Sequence, residues 1–168
     1  ILLATQELTP QLGVTGAASA AIGLYILHNV CYASFAFIAG WLADRMPKKL
    51  LLAFGFLLSA AMCFCVIILP ASIATLAIVF ILGGTTVAIE ETLESSLAAE
   101  LVAEDSHGIA YGALDTVNGI GDFASSIVVG ALWTAFGISV AFGYSAVLSV
   151  AGAVLILFLR PSKGVASA

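Results

Sequence analysis

Charge is scarce in this sequence. Asp, Glu, Lys and Arg together make up 9% of the 168 residues, whereas a soluble domain carries roughly 25%. Basic residues number only five and the formal net charge is −5. A nucleic-acid binder needs a basic face, so that class is excluded. The three cysteines, Cys31, Cys63 and Cys65, all lie inside apolar runs, which excludes a disulfide-stapled secreted module. Cys63-Phe64-Cys65 has no further ligand near it in sequence and is not read as a metal site. No basic n-region precedes Ile1-Leu2-Leu3-Ala4, so the opening is not a signal peptide. Those residues are expected to finish a helix begun upstream. No nucleotide-binding motif occurs, and no cofactor is expected.

Apolar residues are abundant. They make up 62% of the chain, and the mean hydropathy is +1.18. A chain of this size cannot hide so much apolar surface from water. The solvent for most of it is lipid.

A spanning helix needs about 20 mostly apolar residues, and such runs follow one another along the chain. The spans are expected at about 17–42, 50–69, 71–93, 108–136 and 138–159, in a single membrane domain. The first is ended by Asp44-Arg45-Met46-Pro47-Lys48-Lys49 and the second by Pro70. The third fades into Glu90-Glu91-Thr92-Leu93-Glu94, and the fifth closes at Arg160-Pro161. The connections at Pro70 and Gly137 are short enough only for helical hairpins, so neighbouring spans run antiparallel. The runs lack the period-2 alternation of a barrel wall. The expected fold is an all-α polytopic membrane protein, an antiparallel transmembrane helix bundle.

All five basic residues fall in two places, Arg45, Lys48 and Lys49 after the first span and Arg160 and Lys163 after the fifth. By the positive-inside rule that face is the cytoplasm. Loops 43–49 and 100–107 and the C-terminus are then cytoplasmic. The segment Thr5–Gly16, Pro70 and Gly137 lie outside, in a cell (inner or plasma) membrane.

The loop Gly40-Trp41-Leu42-Ala43-Asp44-Arg45-Met46-Pro47-Lys48-Lys49 resembles the signature Gly-x-x-x-Asp-Arg-x-Gly-Arg-Arg of the major facilitator superfamily. In that family the loop joins helices 2 and 3, and a weaker copy joins helices 8 and 9. Glu100–Gly108, leading into a Gly-rich helix, resembles the run into helix 11, and Gly130-Ala131-Leu132-Trp133 its far end. The resemblance covers nearly the whole chain. It implies the C-terminal half of such a fold, with the spans as helices 8 to 12, Ile1–Ala4 as the tail of helix 7, and an N-terminal half as partner. It also implies a gating role for Gly40, Asp44, Arg45, Lys48 and Lys49. Two departures stand out. Pro47 replaces a glycine, so the turn must be built without positive φ. His107 stands where the family often has Arg. Apart from any family, Asp44 is placed to face a helix N-terminus or a cationic partner, a contact of roughly 0.3–1 kcal/mol. The opposing reading is that Arg45, Lys48 and Lys49 merely fix topology.

Charge at the bilayer centre costs roughly 2.5–3.5 kcal/mol per residue, so such residues usually face a cavity or a partner. At about 100° per residue, Asn118 and Asp122 fall about 60° and about 20° from Asp115, on one face of the fourth span. Tyr111 and Ser126 share it, and Gly108, Gly112, Gly119 and Gly130 cluster on the adjacent flank, where close helix packing is expected. Asp115 is expected about 10 Å and Asp122 about 21 Å in from the cytoplasmic start. On the first span Tyr25, His28, Asn29 and Tyr32 share a broad face, with His28 about 16 Å from the outer end. Thr86, Glu90 and Glu94 form a face of the third span, expected near the cytoplasmic mouth. The candidate substrate or proton pathway is therefore His28, Asn29, Glu90, Asp115, Asn118 and Asp122. Each has a structural rival: the carboxylates as hydrogen-bonded packing groups or the wet end of a span, His28 as a donor to a carbonyl across a helix interface.

The function expected is secondary active transport of a small solute by alternating access, as an antiporter or symporter, with protons as a candidate coupling ion and the lipid bilayer as surroundings. The cavity face has no Arg or Lys, which weighs against a strongly anionic substrate held by this half. Two alternatives stand beside it. Gly119-Ile120-Gly121-Asp122 matches the Gly-x-Gly-Asp motif of intramembrane aspartyl proteases, whose two aspartates share a proton; Asp115, about 10 Å along the same helix, is too far to be the second. The other alternative is a non-transporting membrane receptor.

Overall fold

The structure is a computed structural model, described for residues 1–158 apart from the side chains of Leu101 and Glu104. Leu159, Arg160, Pro161 and Lys163, used above to close the fifth span and to orient the chain, lie outside the described residues. Helices α1 (Leu2–Ala43), α2 (Lys48–Ile68), α3 (Ile73–Leu101), α4 (His107–Phe136) and α5 (Ile138–Phe158) follow in order, with a 3₁₀ turn at Glu104–Ser106 before α4. No strand occurs among the described residues. All five helices are long and apolar enough to cross a bilayer. With 21 residues each, α2 and α5 rise about 31 Å, the thickness of a hydrocarbon core.

Helix α1 corrects the expectation at the N-terminal end. The segment Thr5–Gly16 was expected as an outer connection and Ile1–Ala4 as the end of a preceding helix. Instead helical structure runs from Leu2 and is interrupted at Gly13 (φ 69°, ψ 171°), a conformation open to glycine. Two hydroxyls of this segment are satisfied within the helix: Thr5 donates to the Ile1 carbonyl and Thr9 to that of Thr5. Ala4 and Leu8 of the first arm join Ala17, Ala21 and Leu24 of the second, with Leu76 of α3, in one buried cluster.

Helix α3 begins at Ile73 because Ser72 caps it, accepting from the Thr75 amide at 3.2 Å. It runs to Leu101 rather than fading at Leu93. Residues 94–101, of good helix propensity, continue it, so the expected loop 100–107 shortens to Val102–Ala103 and the 3₁₀ turn. Pro47, which replaces the glycine of the resembling loop, holds φ at −57° and leads directly into α2; its carbonyl accepts from the Leu50 and Leu51 amides. Gly137, at φ 87°, alone separates α4 from α5.

In the bundle α1 packs on α3, α2 on α3 and α5, and α4 on α5 and, more lightly, α3. A second buried cluster, of Ala39, Ala43, Leu51, Leu52, Ile89 and Leu93, fills the end opposite the first. Between them runs a more polar layer. There His28 donates Nδ1–H to the Phe80 carbonyl at 3.2 Å, and Ser59 pairs with Ser149 at 3.2 Å. The outer surface is rich in exposed Phe, Ile, Leu and Val, as a lipid-facing surface requires.

Candidate functional site: a carboxylate cleft between two helices

Helix α3 presents Glu90, Glu91 and Glu94 along consecutive turns, and α4 presents Asp115, Asn118 and Asp122 opposite them. Together they line a cleft of about 690 Å³. Asn118 donates from its amide to Glu94 Oε2 at 2.8 Å, a direct link between the two helices. Tyr32, from α1, donates its hydroxyl to Glu91 Oε2 at 2.6 Å. Among the described residues no side-chain hydrogen bond or ion pair engages the carboxylates of Glu90, Asp115 or Asp122.

The face of α4 predicted from the sequence thus meets α3. Glu91, Glu94 and Tyr32 extend the predicted set. The signal for the two glutamates was on the page, since positions 90, 91 and 94 fall on neighbouring faces at about 100° per residue; Tyr32 was placed on a face with His28 and Asn29, but nothing pointed to Glu91 as its partner. With α3 continuing to Leu101, Glu90 sits about 16 Å from that end. Asn29 does not join the cleft, because its amide donates to the Tyr25 carbonyl of its own helix at 2.7 Å. His28 lies in an adjoining cavity that shares Glu90, with Tyr25 stacked against its ring at 6.1 Å. The expected glycine packing is not made within the described residues: a Cβ at Gly108, Gly112, Gly119 or Gly130 would meet nothing within 4 Å. No residue of α4 is buried.

At the end of the bundle near Lys48, the loop residues divide. Gly40 packs beside α3, where a Cβ would stand 3.7 Å from Thr92 Cγ2. Arg45 lies over the Trp41 ring, 4.0 Å from its centroid, and donates to the Trp41 carbonyl at 2.8 Å. Lys48 donates to Ser96 Oγ and Glu100 Oε1, both at 2.5 Å, tying the start of α2 to the end of α3. Lys49 follows it at the start of α2. The Asp44 carboxylate has no hydrogen bond or ion pair among the described residues, and Asp44 is exposed.

The family profile of the Major Facilitator Superfamily matches residues 1–167. The chain belongs to the major facilitator superfamily. It is also similar to an uncharacterised MFS-type transporter of Methanocaldococcus jannaschii, 30% identical over 140 residues. That match covers 82% of this chain but only 34% of the relative, so the chain spans about a third of that protein's length. No solved structure gives a significant match. Superfamily membership and five membrane-competent helices make this a multi-pass, all-α membrane protein.

Proposed function

We propose that the parent protein is a secondary transporter that moves a small solute by alternating access, and that this chain forms most of one of its two halves. The observation that carries the reading is the cleft between α3 and α4. Six carboxylate and amide side chains converge there, inside segments long enough to span lipid. Polar groups at membrane depth are retained where they face a cavity or a partner. The outer side of α4 has no buried residue, which fits a second wall supplied by the rest of the parent protein. In this reading the helices are 8 to 12 of the superfamily fold, and the arm before Gly13 belongs to helix 7.

Protons are the proposed coupling ion, carried by Asp122, Asp115 and Glu90, with His28 beside them. A carboxylate protonated from one side and released to the other would link solute movement to the gradient. Asp44 is the proposed gate contact. Arg45 and Lys48 are engaged within this chain, whereas the Asp44 carboxylate is exposed and available to the other half. The end bearing Arg45, Lys48 and Lys49 faces the cytoplasm. Membership of the superfamily supports transport over proteolysis at Gly119–Asp122.

The test is solute flux by the full-length parent in proteoliposomes. Asp122→Asn is expected to abolish accumulation driven by a pH gradient while sparing solute exchange at equal pH. Unchanged pH-driven accumulation would remove Asp122 from the scheme.

A further inference from the structure

The loop between α1 and α2 holds a cation with no counter-ion. Arg45 is exposed, and its guanidinium lies 4.0 Å from the centroid of the Trp41 ring. It also donates to the Trp41 carbonyl at 2.8 Å. Both partners are neutral. Among the described residues no carboxylate pairs with Arg45, although Asp44 precedes it and is exposed. The ion pair of this end runs instead from Lys48 to Glu100, at 2.5 Å.

An anion binding to Arg45 would need little further ordering of the side chain. A free Arg gives up much rotamer freedom when it is fixed, and the contacts to Trp41 have already fixed this one. The carbonyl engages Nη1, and the remaining N–H groups keep the planar fork that matches phosphate oxygens. Within the loop Arg45, Lys48 and Lys49 outnumber Asp44, so an anion is favoured here although the chain as a whole is acidic.

The groups around the guanidinium are apolar. Trp41 is 51% exposed, and Phe37, one turn before it on α1, is 78% exposed. Met46, next to Arg45 in the loop, is exposed as well. A soluble anion would meet the guanidinium and leave these groups unused. A phospholipid uses both. Its phosphate sits at the level where aromatic rings and long cationic side chains gather, and its chains run along the apolar turns below.

We infer that Arg45 and Trp41 form a site for an anionic glycerophospholipid, with the guanidinium on the phosphodiester, Trp41 beside the glycerol and Phe37 along an acyl chain. A zwitterionic lipid fits less well, because its own ammonium group would be set against the excess of positive charge in the loop. Neither Arg45 nor Trp41 lines the carboxylate cleft. The site therefore goes beyond the transporter reading and stands whatever solute the parent moves.

The test is native mass spectrometry of the full-length parent in detergent, titrated with phosphatidylglycerol or with phosphatidylcholine of the same chains. The rest of the parent has lipid contacts of its own, so the readout is the change between wild type and variant. Arg45→Gln is expected to lower phosphatidylglycerol affinity about fivefold and to leave phosphatidylcholine unchanged. Arg45→Lys keeps the charge without the planar fork and is expected to fall between. Trp41→Leu, which keeps an apolar surface but loses the ring, is expected to lower phosphatidylglycerol affinity about threefold. Both side chains are exposed, so the lipid-free variants are expected to melt as the wild type does. Glycerol phosphate, the headgroup chemistry without chains, is expected not to displace the lipid. Wild-type phosphatidylglycerol affinity in Arg45→Gln overturns the inference, and so does an equal loss of phosphatidylcholine. Displacement by glycerol phosphate overturns it too, leaving a site for a free anion. Should Arg45→Gln melt low, wild-type affinity in both Arg45→Lys and Trp41→Leu is the result that overturns it.

Discussion

A methyl group at Gly84 would collide with the backbone carbonyl of His28 and stand 3.2 Å from Cys31 Cβ. Gly83, beside it, faces Met62 and the His28 ring at 3.3–3.4 Å. The absence of side chains here is what lets α1 approach α3 closely enough for His28 to reach the Phe80 carbonyl. Gly84→Ala is expected to cost about 1–3 kcal/mol, since backbone atoms have to move to admit it. The check is a lower melting temperature of the detergent-solubilised protein, with Gly143→Ala as the comparison, where a Cβ meets nothing within 4 Å. The sequence carried half of this information. Helical spacing placed Asp115, Asn118 and Asp122 on one face, and it placed His28 in the interior of a span. It could not name partners. His28 and Phe80 are 52 positions apart, Tyr32 and Glu91 are 59 apart, and periodicity within one helix is silent about which helix lies across from it.

Two glycines set breaks between helical segments. Among the described residues Gly13 and Gly137 are the positive-φ glycines, and both have ψ near 180°, a region that L side chains with a Cβ rarely enter. Gly137 is the whole connection between α4 and α5, so strain there has no neighbouring loop residue to absorb it. Gly137→Ala is expected to destabilise the protein by about 1–3 kcal/mol, read as a lower melting temperature and a faster loss of monodisperse protein in detergent. The turn at Gly137 was legible as a break between apolar runs. The break at Gly13 was not, because nothing in Thr5–Gly16 announces that the Thr5 and Thr9 hydroxyls donate back into their own helix. The end of α3 was misjudged for a related reason: hydropathy falls after Leu93, while helix propensity does not.

At the scale of the molecule, the Lys48–Glu100 ion pair places the α1–α2 loop and the end of α3 at one end of the bundle. Leu69, Ala71 and Ile138 line a common cavity at the other. With Cys31, Cys63 and Cys65 replaced by Ala, Met46→Cys and Ser106→Cys are expected to react with an impermeant maleimide only from the cytoplasm. Pro70→Cys and Ser139→Cys are expected to react only from outside. Met46→Cys and Pro70→Cys reacting from one side would overturn the topology. Span count and the alternation of ends were legible because lipid imposes a length on every apolar run. What covers the face of α4 was not, since that face finds no cover among the described residues. Its bareness bears on how the protein is made. Helix α4 has the lowest mean hydropathy of the five, 1.4, and carries two aspartates at depths where each adds roughly 2.5–3.5 kcal/mol against insertion. It emerges from the ribosome before α5 exists to flank it. Retention of this helix in the bilayer is therefore expected to firm up only once α5, its main neighbour, has followed it, and the order of translation becomes part of the assembly route.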